Sequence, residues 1–119
     1  MTSVLLDVSA TAHMPDVLEM PYRPDVFTFE GERGEDEGKY VYRLGGATCL
    51  ASDVVGDYAF SSRLSVGQRL IFDDMAHYTM VKSTFFNGVQ HPSIQLVSKD
   101  NELKTLKEFS FQDYLELRR

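Results

Sequence analysis

Short runs of β-branched and aromatic residues, separated by turn signals, are the sequence feature that most limits what this chain can fold into. Strands are predicted over Lys39–Leu44 and Val26–Phe29, where residue types typical of pleated strands dominate. A tight turn is predicted at Asn87-Gly88, because both residue types accept a positive φ. Pro92–Val97 and Glu102–Leu106 predict a hairpin further along the chain. The pattern favours a domain built mainly from β-strands.

The beginning of the chain is also predicted to be extended. Apolar side chains recur over residues 4–12, which predicts a strand buried on both faces at its start, and Val17–Met20 is interpreted as a short continuation before Pro21 and Pro24. Asp7 interrupts this strand. A carboxylate in an apolar strand is costly unless it is paired or lies in a polar pocket, so Asp7 is a candidate site residue. The alternative is a carboxylate at a strand end, in water.

Further strands are predicted at Tyr58–Phe60 and Arg69–Phe72, the second of them buried. Asp73–Tyr78 has no β alternation and predicts one helical turn with an aspartate near its start. Ser110–Asp113 resembles a capping box and predicts a short amphipathic helix that follows it. About seven short strands against one clear helix predict an all-β barrel or sandwich with a short C-terminal helix, in one domain over residues 1–119.

Charge and composition limit the classes of partner. The formal net charge of −6 at pH 7 argues against a nucleic-acid surface, and the acidic residues within 30–37 predict a solvated loop. One cysteine excludes an internal disulfide, and the Cys and His spacings predict no metal site. The first residues lack the basic start and apolar centre of a leader, and no apolar run reaches membrane length. We expect a protein of the reducing cytoplasm with no membrane partner.

The most unusual stretch is Gly45–Asp53, which holds two adjacent glycines, the single cysteine and a carboxylate. A glycine pair is costly unless the backbone needs a special angle or a close approach to another surface. Cys49 has two interpretations: a small buried hydrophobe, or a functional thiol that the glycines bring to another surface.

Three motifs occur together in order: Gly45–Asp53, Phe72–Tyr78 and Phe86–Gly88. They resemble the C-terminal domain of the fold-type III, pyridoxal-phosphate-dependent decarboxylases, which include ornithine, diaminopimelate and arginine decarboxylases and share their architecture with alanine racemase. Residues 6–24, together with Asp73–Lys82, are similar to the carboxynorspermidine/carboxyspermidine decarboxylase branch. These segments cover most of the chain.

The resemblance implies a small Greek-key-like β-barrel or sandwich that works with an N-terminal (β/α)8 barrel. That barrel carries the Schiff-base lysine for pyridoxal 5'-phosphate, and 119 residues are too few to contain it. The resemblance therefore implies that the chain alone is inactive. It also implies a homodimer with shared active sites and a small polyamine substrate.

Roles for single residues follow from the resemblance. Cys49 matches the cysteine that crosses the dimer interface and protonates the substrate carbon after carbon dioxide leaves. Tyr78 matches the tyrosine whose hydroxyl reaches the cofactor phosphate, and Asp7 matches a carboxylate that faces the distal amine of the substrate. Leu50 stands where ornithine-type enzymes have an acidic residue, which implies a longer substrate.

Three residues, and the function as a whole, have more than one interpretation. Asp53 is interpreted either as a substrate contact or as a brace for its loop, and His13 and Glu19 either as substrate contacts or as structural residues. The main hypothesis is a decarboxylase domain for carboxynorspermidine or carboxyspermidine. The alternatives are a non-catalytic domain that binds a polyamine or a protein, and the domain of a related diamino-acid decarboxylase.

Overall fold

Strands in three small sheets make up most of the regular structure in the computed structural model, which describes residues 1–118. The strands are β1 (Thr2–Leu5), β2 (Val26–Thr28), β3 (Tyr40–Gly45), β4 (Val54–Phe60), β5 (Leu70–Phe72), β6 (Ile94–Val97) and β7 (Leu103–Lys107). The helices are α1 (Ala10–His13), α2 (Asp16–Glu19), α3 (Ala76–Lys82) and α4 (Phe111–Leu117), with a 3₁₀ turn at Phe86–Gly88.

The largest sheet has the strand order β1-β3-β4. β3 and β4 are antiparallel, with Tyr42 opposite Tyr58, whereas β1 runs parallel to β3. Side chains of β3 alternate as its sequence predicts: Leu44 is buried, and Arg43 faces solvent, where it pairs with Asp57 at 2.8 Å. The ladder shifts register between Leu44 and Gly45, directly before the stretch that contains Cys49.

β2 pairs with β5 in a separate two-stranded sheet, and β6 pairs with β7 in another. Val26 and Thr28 face the core, so the shared face of Phe27 and Phe29 is the outer one. The core is formed by buried residues of the two larger strands and their neighbours, mainly Leu44, Val55, Tyr58, Phe60, Val26, Met14 and Val17.

The prediction of a strand over residues 4–12, continued at Val17–Met20, is wrong beyond Leu5, and its start is not buried on both faces, because Leu5 is 73% exposed. α1 and α2 occupy this region instead. Ser9 caps α1, because its hydroxyl oxygen accepts a hydrogen bond from the Ala12 N–H at 3.1 Å. The alternation of Ala10 and Ala12 misled the prediction, because small residues packed on several sides of a short helix give the same pattern as a strand.

Two further boundaries differ from the predictions. The helix expected at Asp73–Tyr78 begins later and extends further, as α3, and Asp74 has a positive φ of 55° before it. β5 was expected to be buried, but Ile71 is exposed at 48% and its neighbours are only partly buried. Within residues 1–118, β5 pairs only with β2, so no strand lies along its other edge.

The C-terminal predictions are confirmed. β6 and β7 form the expected antiparallel hairpin, and Asn101 in its connection has a φ of 59°. Ser110 begins α4 with the predicted capping box, in which Ser110 and Asp113 exchange hydrogen bonds. The expectation of a mainly β domain is thus met, but the three sheets within residues 1–118 do not close into a barrel. No helix in this range is both long and apolar enough to span a membrane.

Candidate active site

The residues around Cys49 form a loop over residues 46–53, here called the Cys49 loop, and Asp53 holds its end. The Asp53 side chain is buried, and its carboxylate accepts hydrogen bonds from Ser9 Oγ at 2.8 Å and from the Ala10 N–H at 2.7 Å. It also accepts from Thr48 Oγ1 at 2.6 Å and from the Thr48 N–H at 3.0 Å. Asp53 therefore joins the start of α1 to the Cys49 loop.

Gly46 makes this close approach possible. A Cβ atom at Gly46 would lie 2.6 Å from Asp53 Oδ2 and 2.7 Å from Ser9 Cα, both far inside van der Waals contact. The prediction that the glycine pair permits a close approach is confirmed at this residue.

The ionised form of Asp53 is favoured by these contacts. Burial by itself raises the pKa of a carboxyl group, but the hydrogen bonds from Thr48, Ser9 and Thr11 outweigh it, and the pKa of Asp53 lies below its ordinary value of 3.8. Of the two roles left open for Asp53, the contacts are those of a brace for the loop.

Cys49 is an exposed free thiol, so it is not the small buried hydrophobe of the first interpretation. Its backbone is nevertheless held: the Cys49 N–H donates to Asn87 Oδ1 at 2.8 Å. Asn87 belongs to the 3₁₀ turn and has a φ of 57°, and Gly88 follows with a φ of 71°. The next loop residue, Leu50, is 43% exposed. The structure therefore brings the first and third sequence motifs into contact.

Tyr78 lies on α3 and is 64% exposed. Within residues 1–118 its hydroxyl has no hydrogen-bond partner, and the Lys82 ammonium lies 5.7 Å from the centre of its ring. α3 and the residues that follow it contact residues 6–24 at two points. The Thr84 N–H donates to the Ala12 carbonyl at 2.8 Å, and Lys82 pairs with Glu19 at 2.6 Å.

His13 is buried beneath these elements, at 2% exposure. Its Nδ1 accepts a hydrogen bond from the Ser9 N–H at 3.1 Å, while its buried Nε2 has no partner in the part of the chain described. Burial and the neighbouring His91 lower the pKa of His13 below 6.5, against the opposing effects of the Gln90 backbone, Asp53 and Asp7. These are the contacts of a structural residue.

Asp7 is exposed and lies on a groove of about 530 Å³ whose wall includes His91, Ser93, Glu108 and Phe109. Asp7 and Glu108 make no ion pair with any residue from 1 to 118. Two free carboxylates on one groove can attract a cationic group. Asp7 lies two residues beyond the end of β1, so it does not interrupt a strand, and its role as a substrate contact stays a prediction.

His91 is a residue of this region that sequence reasoning missed. Its ring stacks on Phe85 at 4.0 Å, lies 4.6 Å from Phe109 and meets His13 edge-on at 6.3 Å. No local pattern marks His91, because two of its three ring partners, His13 and Phe109, lie in other parts of the chain. Among the residues that the structure describes, no group of three or more His, Cys, Asp or Glu side chains is placed to hold a metal ion.

Solved structures define the class of protein. The carboxynorspermidine decarboxylase of Campylobacter jejuni, solved in complex with norspermidine, matches 98% of this chain with a TM-score of 0.85 and 43% identity. The diaminopimelate decarboxylase of M. jannaschi matches 96% of the chain with a TM-score of 0.73 and, at 24% identity, shows the fold alone. The chain has the fold of a part of the fold-type III decarboxylases.

Curated relatives narrow this class. The carboxyaminopropylagmatine decarboxylase of Synechocystis sp. is 57% identical over 95% of this chain. The carboxynorspermidine/carboxyspermidine decarboxylase of Campylobacter jejuni is 45% identical over 92% of it. No protein-family model matches. The chain is homologous to the C-terminal part of the carboxynorspermidine/carboxyspermidine decarboxylases, which confirms the resemblance, and it spans only 28% and 31% of the length of these two relatives.

Proposed function

We propose that this chain is the C-terminal β-domain, over residues 1–119, of a decarboxylase that acts on a carboxylated polyamine such as carboxynorspermidine or carboxyspermidine. The observation that carries the proposal is an exposed thiol, Cys49, on a loop braced by Asp53 and Asn87, in a chain 57% and 45% identical to such decarboxylases. The reaction belongs to polyamine biosynthesis.

The proposed partner is an N-terminal (β/α)8 barrel domain, and the proposed assembly is a homodimer in which each active site is shared. Large apolar side chains that are exposed on α3 and at the 3₁₀ turn support a partner surface here, including Tyr78, Val81 and Phe86. Such a surface is expected where a second domain or subunit covers the Cys49 loop. Without that partner we expect the chain to be inactive.

The proposed cofactor is pyridoxal 5'-phosphate, with its lysine on the barrel domain. Tyr78 fits one part of the phosphate site, because its exposed hydroxyl has no partner among residues 1–118 and is free to donate to an anion. When bound, this cofactor withdraws electrons from the carbon that loses carbon dioxide.

Cys49 has the role of proton donor in this proposal. Its thiol donates a proton to the substrate carbon after carbon dioxide has left, as a positioned general acid. The backbone N–H bond to Asn87 limits the positions that the thiol can take.

Substrate length is set in this proposal by Leu50 and Asp7. Leu50 offers an exposed apolar side chain next to the thiol, which suits a methylene chain better than an ammonium group. Asp7 lies on the acidic groove and binds the distal cationic group of the substrate. This arrangement favours a long polyamine over ornithine.

The test is a hybrid enzyme in which the N-terminal portion of the Synechocystis sp. relative is joined to this chain. Carbon dioxide release is measured with carboxynorspermidine, carboxyspermidine and carboxyaminopropylagmatine, and with ornithine and diaminopimelate as controls. We expect activity on at least one long substrate and none from the chain alone. An inactive hybrid beside an active intact relative would overturn the proposal, and a preference for ornithine would overturn the substrate class.

A second candidate is a non-catalytic domain that binds a polyamine, which the net charge of −6 and the groove at Asp7 and Glu108 favour. Isothermal titration of the chain with norspermidine separates the two functions. Binding by the chain alone that is lost in Asp7→Asn, together with an inactive hybrid, would select this candidate.

A further inference from the structure

The side chain of Asn87 connects two segments that are far apart in sequence. Its Oδ1 accepts the backbone N–H of Cys49 at 2.8 Å, across a separation of 38 positions. The preceding N–H of the loop, that of Thr48, donates to Asp53 at 3.0 Å. Two consecutive N–H groups are thus bound by side chains from different parts of the fold, and the backbone at Cys49 is held from both sides.

The Asn87 position also requires a residue that adopts a positive φ. Its φ of 57° and ψ of 16° lie in the left-handed region, which asparagine and glycine adopt more readily than most residues. Asparagine satisfies both requirements here, because its short side chain also carries the acceptor. Glycine would satisfy only the backbone requirement, and aspartate would satisfy both. The position therefore offers a matched set of substitutions.

The exposure of Cys49 makes this contact matter for chemistry. Within residues 1–118 the thiol lies at the surface in a free form, so packing inside this chain does little to fix its place. This chain therefore sets the position of the sulfur mainly through the backbone of the loop. A displacement of about 1 Å at a reacting group is enough to cost roughly a hundredfold in rate.

We propose that Asn87 is a positioning residue for Cys49, which fixes the loop backbone so that the thiol meets the substrate carbon. This inference rests on the proposed function, in which Cys49 donates the proton. Asn87 acts through Cys49 and does not itself touch the reacting atoms.

The test uses the substitutions Asn87→Gly and Asn87→Asp in the hybrid enzyme described above. Asn87→Gly removes the acceptor and relieves the left-handed strain, so the variant is expected to fold, which circular dichroism checks. We expect kcat to fall about tenfold in Asn87→Gly, with KM within about twofold of wild type, because positioning acts on the reaction step. Asn87→Asp keeps an acceptor and is expected to restore most of kcat.

Amide hydrogen exchange in the same protein supplies a readout independent of activity. The Cys49 amide is expected to exchange faster in Asn87→Gly than in wild type, while the Thr48 amide, bound to Asp53, keeps its protection. Asp substitution should restore the protection of Cys49.

The outcomes separate the two proposals. An active wild type whose Asn87→Gly variant keeps both kcat and the slow exchange of Cys49 overturns the positioning role and leaves the proposed function intact. Equal losses in Asn87→Gly and Asn87→Asp also overturn the role, because the conservative variant would then fail to rescue. A wild type that releases no carbon dioxide overturns the proposed function, and the positioning role with it.

Discussion

Ser9 Oγ donates to Asp53 Oδ2 at 2.8 Å, between residues 44 positions apart in the chain. The same Ser9 oxygen accepts the Ala12 N–H at 3.1 Å, so one hydroxyl both caps α1 and binds the buried carboxylate. Through Asp53 this connection continues to Thr48, next to Cys49. α1 and the Cys49 loop, which carries the candidate proton donor, are therefore one structural unit.

Asp53→Asn is expected to destabilise the fold by about 2–4 kcal/mol. Both carboxylate oxygens of Asp53 accept hydrogen bonds, and in asparagine an NH₂ group would replace one of these oxygens and face donor groups. Urea unfolding measures the loss. Asp57→Asn, which alters an exposed pair with Arg43, is the control and is expected to lose less. Equal losses in the two variants would contradict the bracing role of Asp53.

Acidification is expected to destabilise the fold through His13. Its Nδ1 accepts the Ser9 N–H, so a protonated ring must give up that bond. Burial lowers the pKa of both His13 and His91 below 6.5 in the folded chain, and His91 lowers that of His13 further. The backbone of Gln90, Asp53 and Asp7 oppose this shift at His13, and the backbone of Thr84 and Asp113 oppose it at His91. The unfolded chain binds the proton more tightly, so this stability is complete above pH 6.5 and is lost as the pH falls through the folded values.

Urea unfolding at pH values from 8 to 5 measures this effect. His13→Asn keeps an acceptor for the Ser9 N–H and removes one titrating group, so its stability is expected to depend less steeply on pH. His77→Gln, at an exposed position of α3, is the control for the replacement of a histidine that is not buried. A His13→Asn slope equal to that of wild type would mean that His13 does not titrate in this range.

Gly46→Ala is expected to disrupt the contact between the Cys49 loop and α1. The added Cβ would lie 2.6 Å from Asp53 Oδ2, so the loop must move away or the carboxylate must leave its donors. A loss of about 2 kcal/mol is expected in urea unfolding, as for other overpacked sites. Ala47→Ser, at the exposed neighbouring residue, is the control, with an expected change within about 0.5 kcal/mol.

The elements whose conformation is set by neighbouring residues were predicted correctly from the sequence. β3 follows its own alternation, and α4 follows its capping box. The region of α1 was predicted wrongly, because its helical start depends on Ser9, whose hydroxyl is fixed by Asp53 from a distant loop. An interaction across 44 positions leaves no local pattern.

The candidate site divides in the same way. Motifs at Cys49 and Tyr78 were visible because each is a contiguous string of residues, and the resemblance they carry is confirmed by the relatives. The acceptor role of Asn87 and the burial of His13 against His91 required the packed structure. Asn87-Gly88 was predicted correctly as a turn, but the direction of the asparagine side chain depends on the tertiary fold.

Cys49→Ala in the active hybrid is expected to lower formation of the correctly protonated amine roughly a hundredfold, because a general acid contributes about that much. Cofactor affinity should change little, because the methyl group of alanine keeps the loop and the backbone bond to Asn87. Product analysis and cofactor absorbance measure the two effects separately. A loss of cofactor with unchanged product ratios would show that the role of the thiol is wrong.

Tyr78→Phe is expected to weaken cofactor binding, which Cys49→Ala should leave almost unchanged. The substitution removes an exposed hydroxyl that has no partner among residues 1–118, so the fold loses no hydrogen bond and the melting temperature should stay unchanged. A hydroxyl bound to a phosphate contributes about 1.5–3 kcal/mol, so the Kd of pyridoxal 5'-phosphate should rise at least tenfold. Titration of the cofactor-free hybrid measures this change.

Saturating cofactor should restore most of kcat in Tyr78→Phe but none in Cys49→Ala, because only the first variant is limited by binding. An unchanged Kd would mean that Tyr78 is not a phosphate ligand.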